Sequence, residues 1–446
     1  MEEFMRQGVA FPTEPKRPIG KPVPKPEKER EPLPKESLWF THDPAIYHDP
    51  VSGDYFVYGT GADALRSKDL IKWERIGKIT DEPSADSQAH VGTKHIWAPD
   101  IVKVGNEYRL YCSNSSFGVQ QSCIYLAVSD KAEGPFVAKG AVVKTDAGCP
   151  VNAIDANIIE DVENGKQYMV YGSFWGGIHI LELDKETGFA AEEGFGKCIA
   201  RRPRWCDGAI EGPYIIYNPE TEYYYLFCSY GSLSSDYNIR VARSKHVLGP
   251  YLDYNGRDMT DLNDDDNSIG YMLACGYAFH EGTQYMAPGH NSVLHDFDGE
   301  WYLVHHIREK NFKEGEPSTM HVRKMYWSKD GWPLASPEIY SGEKLCPLGR
   351  EDIAGRYERI RLTPTTPQGI QSSTAMELRT DGTGCFGVLT RITWELEGEN
   401  TLVVRFANTE EMYQVSPAWD YELWKPTLVI TGKDNKGICL WGKKFE

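Results

Sequence analysis

The sequence predicts an all-β chain: a five-bladed β-propeller with a smaller C-terminal β-barrel or sandwich domain. Short alternating strands are separated by Gly, Pro and Asp turns, and helical periodicity is nearly absent. A turn with an acidic residue or a histidine, followed at once by an apolar strand, recurs five times, at spacings of 57, 55, 56 and 79 residues. Repeats of about 55 residues, each long enough for four strands, fit propeller blades. The five markers are Asp43, Asp100, Asp155, Glu211 and His290.

Each marker opens a repeat whose next two strands can be followed along the chain. Second strands are predicted over 55–59, 108–113, 168–173, 223–229 and 301–305, and third strands over 124–129, 178–183, 239–244 and 321–327. A β-sandwich is the competing fold, but two packed sheets would not place a polar residue at the same phase of every repeat. We therefore expect five blades, the fourth with an insertion.

The remaining segments divide the chain into three parts. Residues 1–37 form a Pro-rich N-terminal tail, with eight prolines between residues 11 and 36, and we exclude it from the fold because such a composition cannot bury a core. The catalytic propeller is predicted over 38–345. Alternating strands without acidic openings then indicate a separate β domain over 346–446.

Composition excludes several classes of function. The net charge is −17 and no basic stripe is present, so we expect no nucleic-acid partner. No apolar run is long enough to span a membrane, and none of the ten cysteines has CxxC spacing. We expect a monomer. The first six residues lack the basic and apolar regions of a signal peptide, as in a cytoplasmic protein or an extracellular one whose leader has been removed.

The phase of the five markers predicts an active site. First strands of a propeller line its central channel, so equivalent positions converge on one axis, where clustered acids push each other's pKa values apart. Glu211 lies among apolar residues, and burial would keep it protonated as a general acid requires. Asp43 and Asp155 supply two more carboxylates, although Asp43 before a proline is also a common turn. For Asp100 we favour a structural role.

The fifth marker, His290, is a candidate metal ligand. A single imidazole among carboxylates suggests a hard, water-rich cation such as calcium, and His305 and His306 are the other candidates for this role. The acidic segment 261–267 lacks the sixth-position glycine and closing glutamate of an EF-hand, so we interpret it as a solvated loop in the fourth blade.

At these positions the chain resembles the arabinanases of glycoside hydrolase family 43. The resemblance spans about residues 38–340, and the region after it resembles the extra β domain of the larger endo-acting members. The motifs that carry it are His42-Asp43-Pro44, Trp97-Ala98-Pro99-Asp100, Ala153-Ile154-Asp155-Ala156, Ser173-Phe174-Trp175-Gly176-Gly177, Ala209-Ile210-Glu211-Gly212-Pro213-Tyr214 and Pro288-Gly289-His290-Asn291.

The resemblance implies inverting hydrolysis of α-1,5-L-arabinofuranosidic bonds in arabinan, with the acid and base about 6.5–9.5 Å apart. It implies Asp43 as general base, Glu211 as general acid, Asp155 as the residue that sets the acid's pKa and orients the substrate, and His290 as the calcium ligand. The substrate-binding residues it implies are Trp97, Phe117, Gly118, Asn152, Ala153, Ile154, Ser173, Phe174 and Trp175.

Three questions stay open from the sequence. Arg204-Trp205-Cys206-Asp207, just before the acid's strand, departs from the family pattern and puts the neighbouring subsite in doubt. An exo-acting α-L-arabinofuranosidase or β-xylosidase would use the same fold and acids. A propeller that binds glycans without cutting them would keep the aromatic residues but would not need the acid–base pair.

Overall fold

The computed structural model describes residues 9–15, 41–279, 282–311, 318–364 and 369–446. Strands dominate these residues, and the two α-helices among them are short: α1 (Ala85–Val91) and α2 (Arg350–Ile353). No helix in the described ranges is long and apolar enough to cross a bilayer. The all-β prediction is confirmed.

Blades 1 and 2 are four-stranded antiparallel sheets, each built from one continuous stretch of chain. Successive side chains point to opposite faces of each sheet. Both faces are buried near the centre of the sheet, because each blade packs between two others. Blade 1 contains β1 (Ala45–His48), β2 (Tyr55–Gly59), β3 (Asp63–Ser67) and β4 (Trp73–Lys78). Blade 2 contains β5 (Trp97–Val104), β6 (Glu107–Asn114), β7 (Ser122–Ser129) and β8 (Val137–Thr145).

Blades 3 and 4 repeat this order, and the predicted insertion lies before the outer strand of blade 4. A stretch of irregular chain, residues 245–270, precedes that strand and includes the acidic segment 261–267. Blade 3 contains β9 (Asn157–Glu160), β10 (Gln167–Tyr171), β11 (Ile178–Leu183) and β12 (Lys197–Ala200). Blade 4 contains β13 (Ile210–Asn218), β14 (Tyr223–Tyr230), β15 (Asn238–Ser244) and β16 (Tyr271–Ala274).

Blade 5 has six strands, two more than the other blades: a short strand from the start of the blade and one from the C-terminal region. Its strands are β17 (Tyr277–Ala278), β18 (Tyr285–His295), β19 (Trp301–Glu309), β20 (Thr319–Trp327), β21 (Pro333–Ala335) and β23 (Gln371–Ser372). The order across the sheet is β21-β20-β19-β18-β17-β23, and the added β23 runs parallel to β17.

The C-terminal region forms a closed eight-stranded barrel, in which the last strand pairs with the first. Closure removes the free sheet edges that an open sheet would expose. The barrel strands are β22 (Gly355–Leu362), β24 (Thr374–Leu378), β25 (Thr383–Phe386), β26 (Thr390–Glu397), β27 (Thr401–Phe406), β28 (Thr409–Asp420), β29 (Lys425–Asp434) and β30 (Cys439–Lys444).

Five apolar clusters hold the propeller together, one between each pair of neighbouring blades. The cluster between blades 5 and 1 closes the ring and packs Val57 and Leu65 against Tyr302 and Val304. These side chains are at most 4% exposed. Since the four strands of blade 1 are consecutive in the chain, side-chain packing rather than a shared strand joins the two ends of the ring.

The barrel packs tightly against blades 4 and 5. Trp441 of β30 is 1% exposed and lies in one cluster with propeller residues, including Phe227 and Leu303. Lys443 Nζ lies 2.8 Å from a carboxylate oxygen of Glu338, in the segment between propeller and barrel. An apolar core with a buried ion pair fixes the barrel in one orientation.

Part of the predicted tail also contacts the barrel. Val9 and Phe11 pack against the barrel core, and Trp424 Nε1 donates a 2.6 Å hydrogen bond to Glu14 Oε1. Residues 9–15 are therefore part of the packed structure, although the Pro-rich composition led us to leave them out of the fold. The rest of that predicted tail, residues 1–8 and 16–37, lies outside the described residues.

Candidate active site

Hydrogen bonds between neighbouring blades fix the entrance of the central channel. In every blade, a polar residue at the end of the second strand bonds to the opening of the next blade. The five bonds join Thr60 Oγ1 to the Ala98 amide (3.0 Å), Ser113 Oγ to the Asp155 amide (2.9 Å), Ser173 Oγ to Glu211 Oε2 (2.8 Å), Ser229 Oγ to the His290 amide (2.7 Å) and His306 Nδ1 to the Asp43 amide (3.2 Å). The last bond closes the circle, so four of the five marker residues, and Ala98 near the fifth, are held by bonds between blades.

The backbone at each opening is left-handed. Asp43, Asp155 and His290 have φ values of 54°, 63° and 44°, and Ala98 and Gly212 take this conformation in the other two blades. A positive φ is energetically unfavourable for a residue with a Cβ, and it persists only where the surrounding structure enforces it. In three blades it accompanies a shift in strand register at the opening. This local irregularity turns the side chain away from the sheet.

One cavity of about 660 Å³ lies over these openings. One expected substrate-binding residue does not line it. Ala153 is fully buried in the apolar cluster between blades 2 and 3, with its amide bonded to Thr145 Oγ1. Asp100, for which we expected a structural role, accepts hydrogen bonds from Asn157 and Ile158 of blade 3. The expected residues that do line the cavity are Asp43, Trp97, Phe117, Gly118, Asn152, Ile154, Asp155, Ser173, Phe174, Trp175, Glu211 and His290.

Asp43 is the carboxylate with the strongest cationic surroundings. Its Oδ1 lies 3.1 Å from His290 Nδ1, and its Oδ2 accepts a 2.5 Å hydrogen bond from Thr60 Oγ1. Burial alone would raise the pKa of Asp43, but positive charge on His290 and His42 outweighs it and holds the pKa well below its usual value. Asp43 is therefore ionised and able to accept a proton.

The surroundings of Glu211 shift its pKa in the opposite direction. Burial raises the pKa of its carboxyl group, and the hydroxyl groups of Ser173 and Tyr237 offset this only in part. Tyr237 donates to Oε1 and Ser173 to Oε2, both at 2.8 Å. Glu211 is thus kept protonated above the usual glutamate range, as a proton donor must be.

Asp155 and His290 complete the buried group. The Gly212 amide donates a 3.2 Å hydrogen bond to Asp155 Oδ2, yet burial raises the pKa of Asp155 to about 8. Burial would lower the pKa of His290, but the surrounding carboxylates, with Asp43 first, outweigh it and raise that pKa. The group therefore combines a carboxyl group whose pKa is lowered, Asp43, with two whose pKa values are raised, Asp155 and Glu211, and an imidazole whose pKa is raised.

Exposed aromatic rings flank the cavity. Phe117, between β6 and β7, is 91% exposed, and Trp175, between β10 and β11, is 48% exposed. Such rings are normally buried, and a flat apolar face at the rim of a polar cavity suits the C–H face of a sugar. Leu233 lines the same cavity from the corresponding loop of blade 4.

Three residues at the site were given no role from the sequence. Thr60 and Arg308 line the cavity, and Tyr237 hydrogen-bonds Glu211 from the protein interior. Thr60 could have been found: Tyr58-Gly59-Thr60 repeats the pattern of Tyr171-Gly172-Ser173, whose serine was predicted. Arg308 is positioned by its hydrogen bond to Ser318 Oγ at 3.2 Å, and no comparable repeat marks it. Tyr237 lies in the segment Asp236-Tyr237-Asn238-Ile239-Arg240-Val241, which also resembles the family pattern, but nothing in that segment indicates a contact with Glu211.

Among the residues that the structure describes, two groups of side chains have geometry compatible with a metal ion. Ligand atoms of His42, Asp43 and His306 lie within 4.8 Å of one another, in the cavity region. His305, one of the sequence candidates, cannot join them, because its ring nitrogens bond to Arg323 Nε and the His306 carbonyl. The second group, Glu338, Asp420 and Glu422, surrounds the ammonium of Lys443 at 2.7–3.2 Å, so the lysine already supplies the cation between these carboxylates.

Comparison with known proteins identifies the family. Residues 38–333 match the glycosyl hydrolases family 43, and residues 337–442 match the C-terminal lipocalin-like domain found with it. The chain is 33% identical to the extracellular endo-α-(1→5)-L-arabinanase of Thermotoga petrophila, covering 90% of this chain and 94% of that relative. It is 32% identical to extracellular endo-α-(1→5)-L-arabinanase 2 of Bacillus subtilis, covering 90% and 92%.

One solved structure agrees over both domains, and a second agrees over about two thirds of the chain. The crystal structure of endo-1,5-α-L-arabinanase from Thermotoga petrophila superposes with a TM-score of 0.81 at 30% identity, covering 93% of this chain and all of that one. The Cellvibrio cellulosa α-L-arabinanase complexed with arabinohexaose superposes with a TM-score of 0.58 at 29% identity, covering 67% and 96%. The predicted propeller, barrel and family are confirmed, and the chain belongs to glycoside hydrolase family 43 and is a glycosidase.

Proposed function

We propose that this glycosidase is an endo-acting, inverting α-1,5-L-arabinanase. One observation carries the proposal: Asp43, Asp155 and Glu211, from blades 1, 3 and 4, line the same cavity beneath exposed aromatic rings. The relatives named above that match over both domains are endo-arabinanases. A glycan-binding propeller without catalysis would have no need of an ionised and a protonated carboxyl group in one buried cluster.

Glu211 is the general acid in this proposal. Its proton passes to the glycosidic oxygen as the bond from that oxygen to the anomeric carbon breaks, and the bonding electron pair stays on the leaving oxygen. The departing sugar then leaves as a neutral alcohol. Glu211 becomes a carboxylate, which the hydroxyl groups of Ser173 and Tyr237 stabilise.

Asp43 is the general base. It takes a proton from a water molecule whose oxygen attacks the anomeric carbon from the face opposite the leaving group, so the configuration inverts. Thr60 and His290 hold the two carboxylate oxygens of Asp43, and this fixes the direction from which water is activated. The two-step alternative, with Asp43 as nucleophile, would give retention.

Asp155 modulates the acid and orients the substrate. It is buried between blades 2 and 3 and receives the amide of Gly212, the residue next to Glu211. When both are ionised, the carboxylates of Asp155 and Glu211 repel each other, so the charge of one disfavours ionisation of the other. As a protonated group, Asp155 can also donate to a sugar hydroxyl.

The aromatic rim supports endo action on a polysaccharide. Phe117 is 91% exposed, so its ring face is free for a sugar unit beyond the cleavage point. Trp97, Gly118, Asn152, Ile154, Phe174 and Trp175 line the cavity on the same blades and are proposed to contact further arabinose units. Ala153 would act indirectly, by supporting its neighbours Asn152 and Ile154 from below.

We further propose that the channel holds a calcium ion at His290. Three buried atoms near the marker residues have no hydrogen-bond partner among the described residues: Oδ1 of Asn291, Oδ1 of Asn152 and Nε2 of His306. Such unpaired polar atoms favour a hydrated cation at this place. The surrounding carboxylates add the hard, negative surroundings that Ca²⁺ prefers. When bound, the ion would supply positive charge that keeps neighbouring carboxylates ionised. His290 would hold it, with His306 as the second candidate.

Product analysis on debranched arabinan tests the proposal. An endo enzyme releases a ladder of arabino-oligosaccharides and lowers viscosity early. Release of arabinose alone would instead indicate an exo-acting arabinofuranosidase, and cleavage confined to aryl xylosides a β-xylosidase. Binding of arabinan without any new reducing ends would indicate a lectin.

A further inference from the structure

Tyr237 contacts Glu211 from the protein interior. Its hydroxyl donates a 2.8 Å hydrogen bond to Glu211 Oε1, and its side chain is fully buried. It does not line the cavity. The phenol therefore contacts Glu211 but does not face the cavity in which a substrate would bind.

The Tyr237 ring is fixed on two sides. A Cβ placed on Gly289 would lie 2.1 Å from Cδ1 of Tyr237, so the ring packs directly on the backbone beside His290. The ring of His306 stacks on it with a centroid separation of 5.8 Å. Because the ring lies between the Gly289 backbone and the His306 ring, the position of the Tyr237 hydroxyl oxygen is fixed.

The same glycine ties this contact to blade 5, which contains His290. Ser229 Oγ accepts the His290 amide at 2.7 Å and lies 3.0 Å from the same Cβ position on Gly289. Tyr237 donates its own proton to Glu211. The position of Oε1 is thereby tied, through the packed Tyr237 ring, to the backbone of blade 5.

The other oxygen of Glu211 has different surroundings. Oε2 accepts from Ser173, a residue that lines the cavity. One carboxyl oxygen is thus bonded to the protein interior and the other lies beside a cavity-lining group. In the protonated acid, a carbonyl oxygen accepts well from a phenol, whereas the hydroxyl oxygen must have its proton directed at the acceptor.

We propose that Tyr237 is a positioning residue that holds Oε1 as the carbonyl oxygen of Glu211 and so leaves Oε2 to donate the catalytic proton. This inference rests on the proposed function of Glu211 as general acid. The proton moves from Oε2 to the glycosidic oxygen while the bond to the anomeric carbon breaks. The negative charge left on Glu211 is shared by the hydrogen bonds from Tyr237 and Ser173.

The test compares two leaving groups on the same protein samples. Linear arabinan needs the acid's proton, whereas a 4-nitrophenyl glycoside of α-1,5-arabinotriose releases nitrophenolate, which leaves without one. For Tyr237→Phe we expect kcat/KM on arabinan to fall about 10- to 100-fold, the effect of losing a hydrogen bond to a charged group. Release of nitrophenolate should change less than about threefold. The ratio of the two activities does not depend on the folded fraction of the sample.

Tyr230→Phe is the matched control. Tyr230 is also a buried tyrosine of blade 4, but its hydroxyl contacts Met259 Sδ and not Glu211. The inference is overturned if Tyr237→Phe matches this control on arabinan or lowers both activities equally. Glu211→Ala, assayed in parallel, separates this from the proposed function: unimpaired cleavage of arabinan by that variant would overturn the acid assignment itself.

Discussion

His290 Nδ1 lies 3.1 Å from Asp43 Oδ1, and this contact joins the last blade of the propeller to the first. The two residues are 247 positions apart in a chain whose ring closes by side-chain contacts. The base of the proposed reaction is therefore assembled only when the ring is complete. Catalytic competence and propeller closure depend on the same contacts.

Replacing the base should abolish most of the activity. For Asp43→Asn we expect kcat on linear arabinan to fall about 10²- to 10⁴-fold, because the amide cannot accept a proton from water. Initial rates of reducing-sugar release measure this. Asp63→Asn, which removes an exposed carboxylate of blade 1 paired with Arg75, is the control and should keep full activity. Activity within a few-fold of the parent for Asp43→Asn would contradict the assignment.

The pH dependence of kcat/KM should be bell-shaped. Its acid limb should lie at lower pH, and its alkaline limb at higher pH, than the ordinary pKa values of Asp and Glu would give. The base acts when ionised, and the pKa of Asp43 is lowered, so the acid limb should lie below pH 3.8. The acid acts when protonated, and burial raises the pKa of Glu211, so the alkaline limb should lie above pH 4.5. Rates over a pH series, limited to the range in which the protein stays folded, test this. An alkaline limb at or below pH 4.5 would be inconsistent with a buried acid.

Loss of an aromatic rim residue should weaken binding more than chemistry. Phe117→Ala or Trp175→Ala is expected to raise KM for arabinan about 3- to 10-fold with little change in kcat, since a stacked ring contributes about 0.5–1.5 kcal/mol beyond its buried area. Phe297→Ala serves as the control: this ring is 67% exposed but lies in the turn between β18 and β19, away from the cavity lining. Equal KM values for all three variants would remove the stacking role.

The contact between propeller and barrel should depend on Lys443. Its ammonium is buried among Glu338, Asp420 and Glu422, and Lys443→Met would leave these carboxylates without their cation. We expect the free energy of unfolding to fall by about 3–5 kcal/mol. Denaturant titration measures it. Lys329→Met, which breaks an exposed pair with Glu397, should cost less than about 1 kcal/mol. Equal losses for the two variants would mean that the buried cluster is not required for docking.

Much of the fold could be predicted from the sequence, because its two signals are local. One is the alternation of apolar and polar residues along each strand, and the other is the position of the marker residue within each repeat. The predicted strands 55–59 and 178–183 coincide with β2 and β11, and the others differ by a few residues at their ends. Residues 9–15 were missed for a physical reason. Val9 and Phe11 are two apolar residues beside a Pro-rich stretch, and only the barrel surface, distant in sequence, gives them something to pack on.

Site residues at the openings of the first strands could be predicted from the sequence. Site residues elsewhere in the blades were predicted less well. Asp155 and Glu211 open their blades and reach the cavity as expected. Ala153 was expected beside them, but the left-handed backbone at Asp155 turns the chain so that the alanine faces the core. Tyr237 begins no repeat, and its relation to Glu211 exists only after β14 and β15 pair. A pattern along one strand does not encode such a contact.

Product stereochemistry tests the central claim most directly. Proton NMR spectra recorded during the first minutes of hydrolysis of linear arabinan identify the anomer released before mutarotation. A water activated by Asp43 opposite the proton donor Glu211 must give the β-anomer first, because the configuration at the anomeric carbon inverts. Appearance of the α-anomer first would mean a covalent intermediate and would contradict the account.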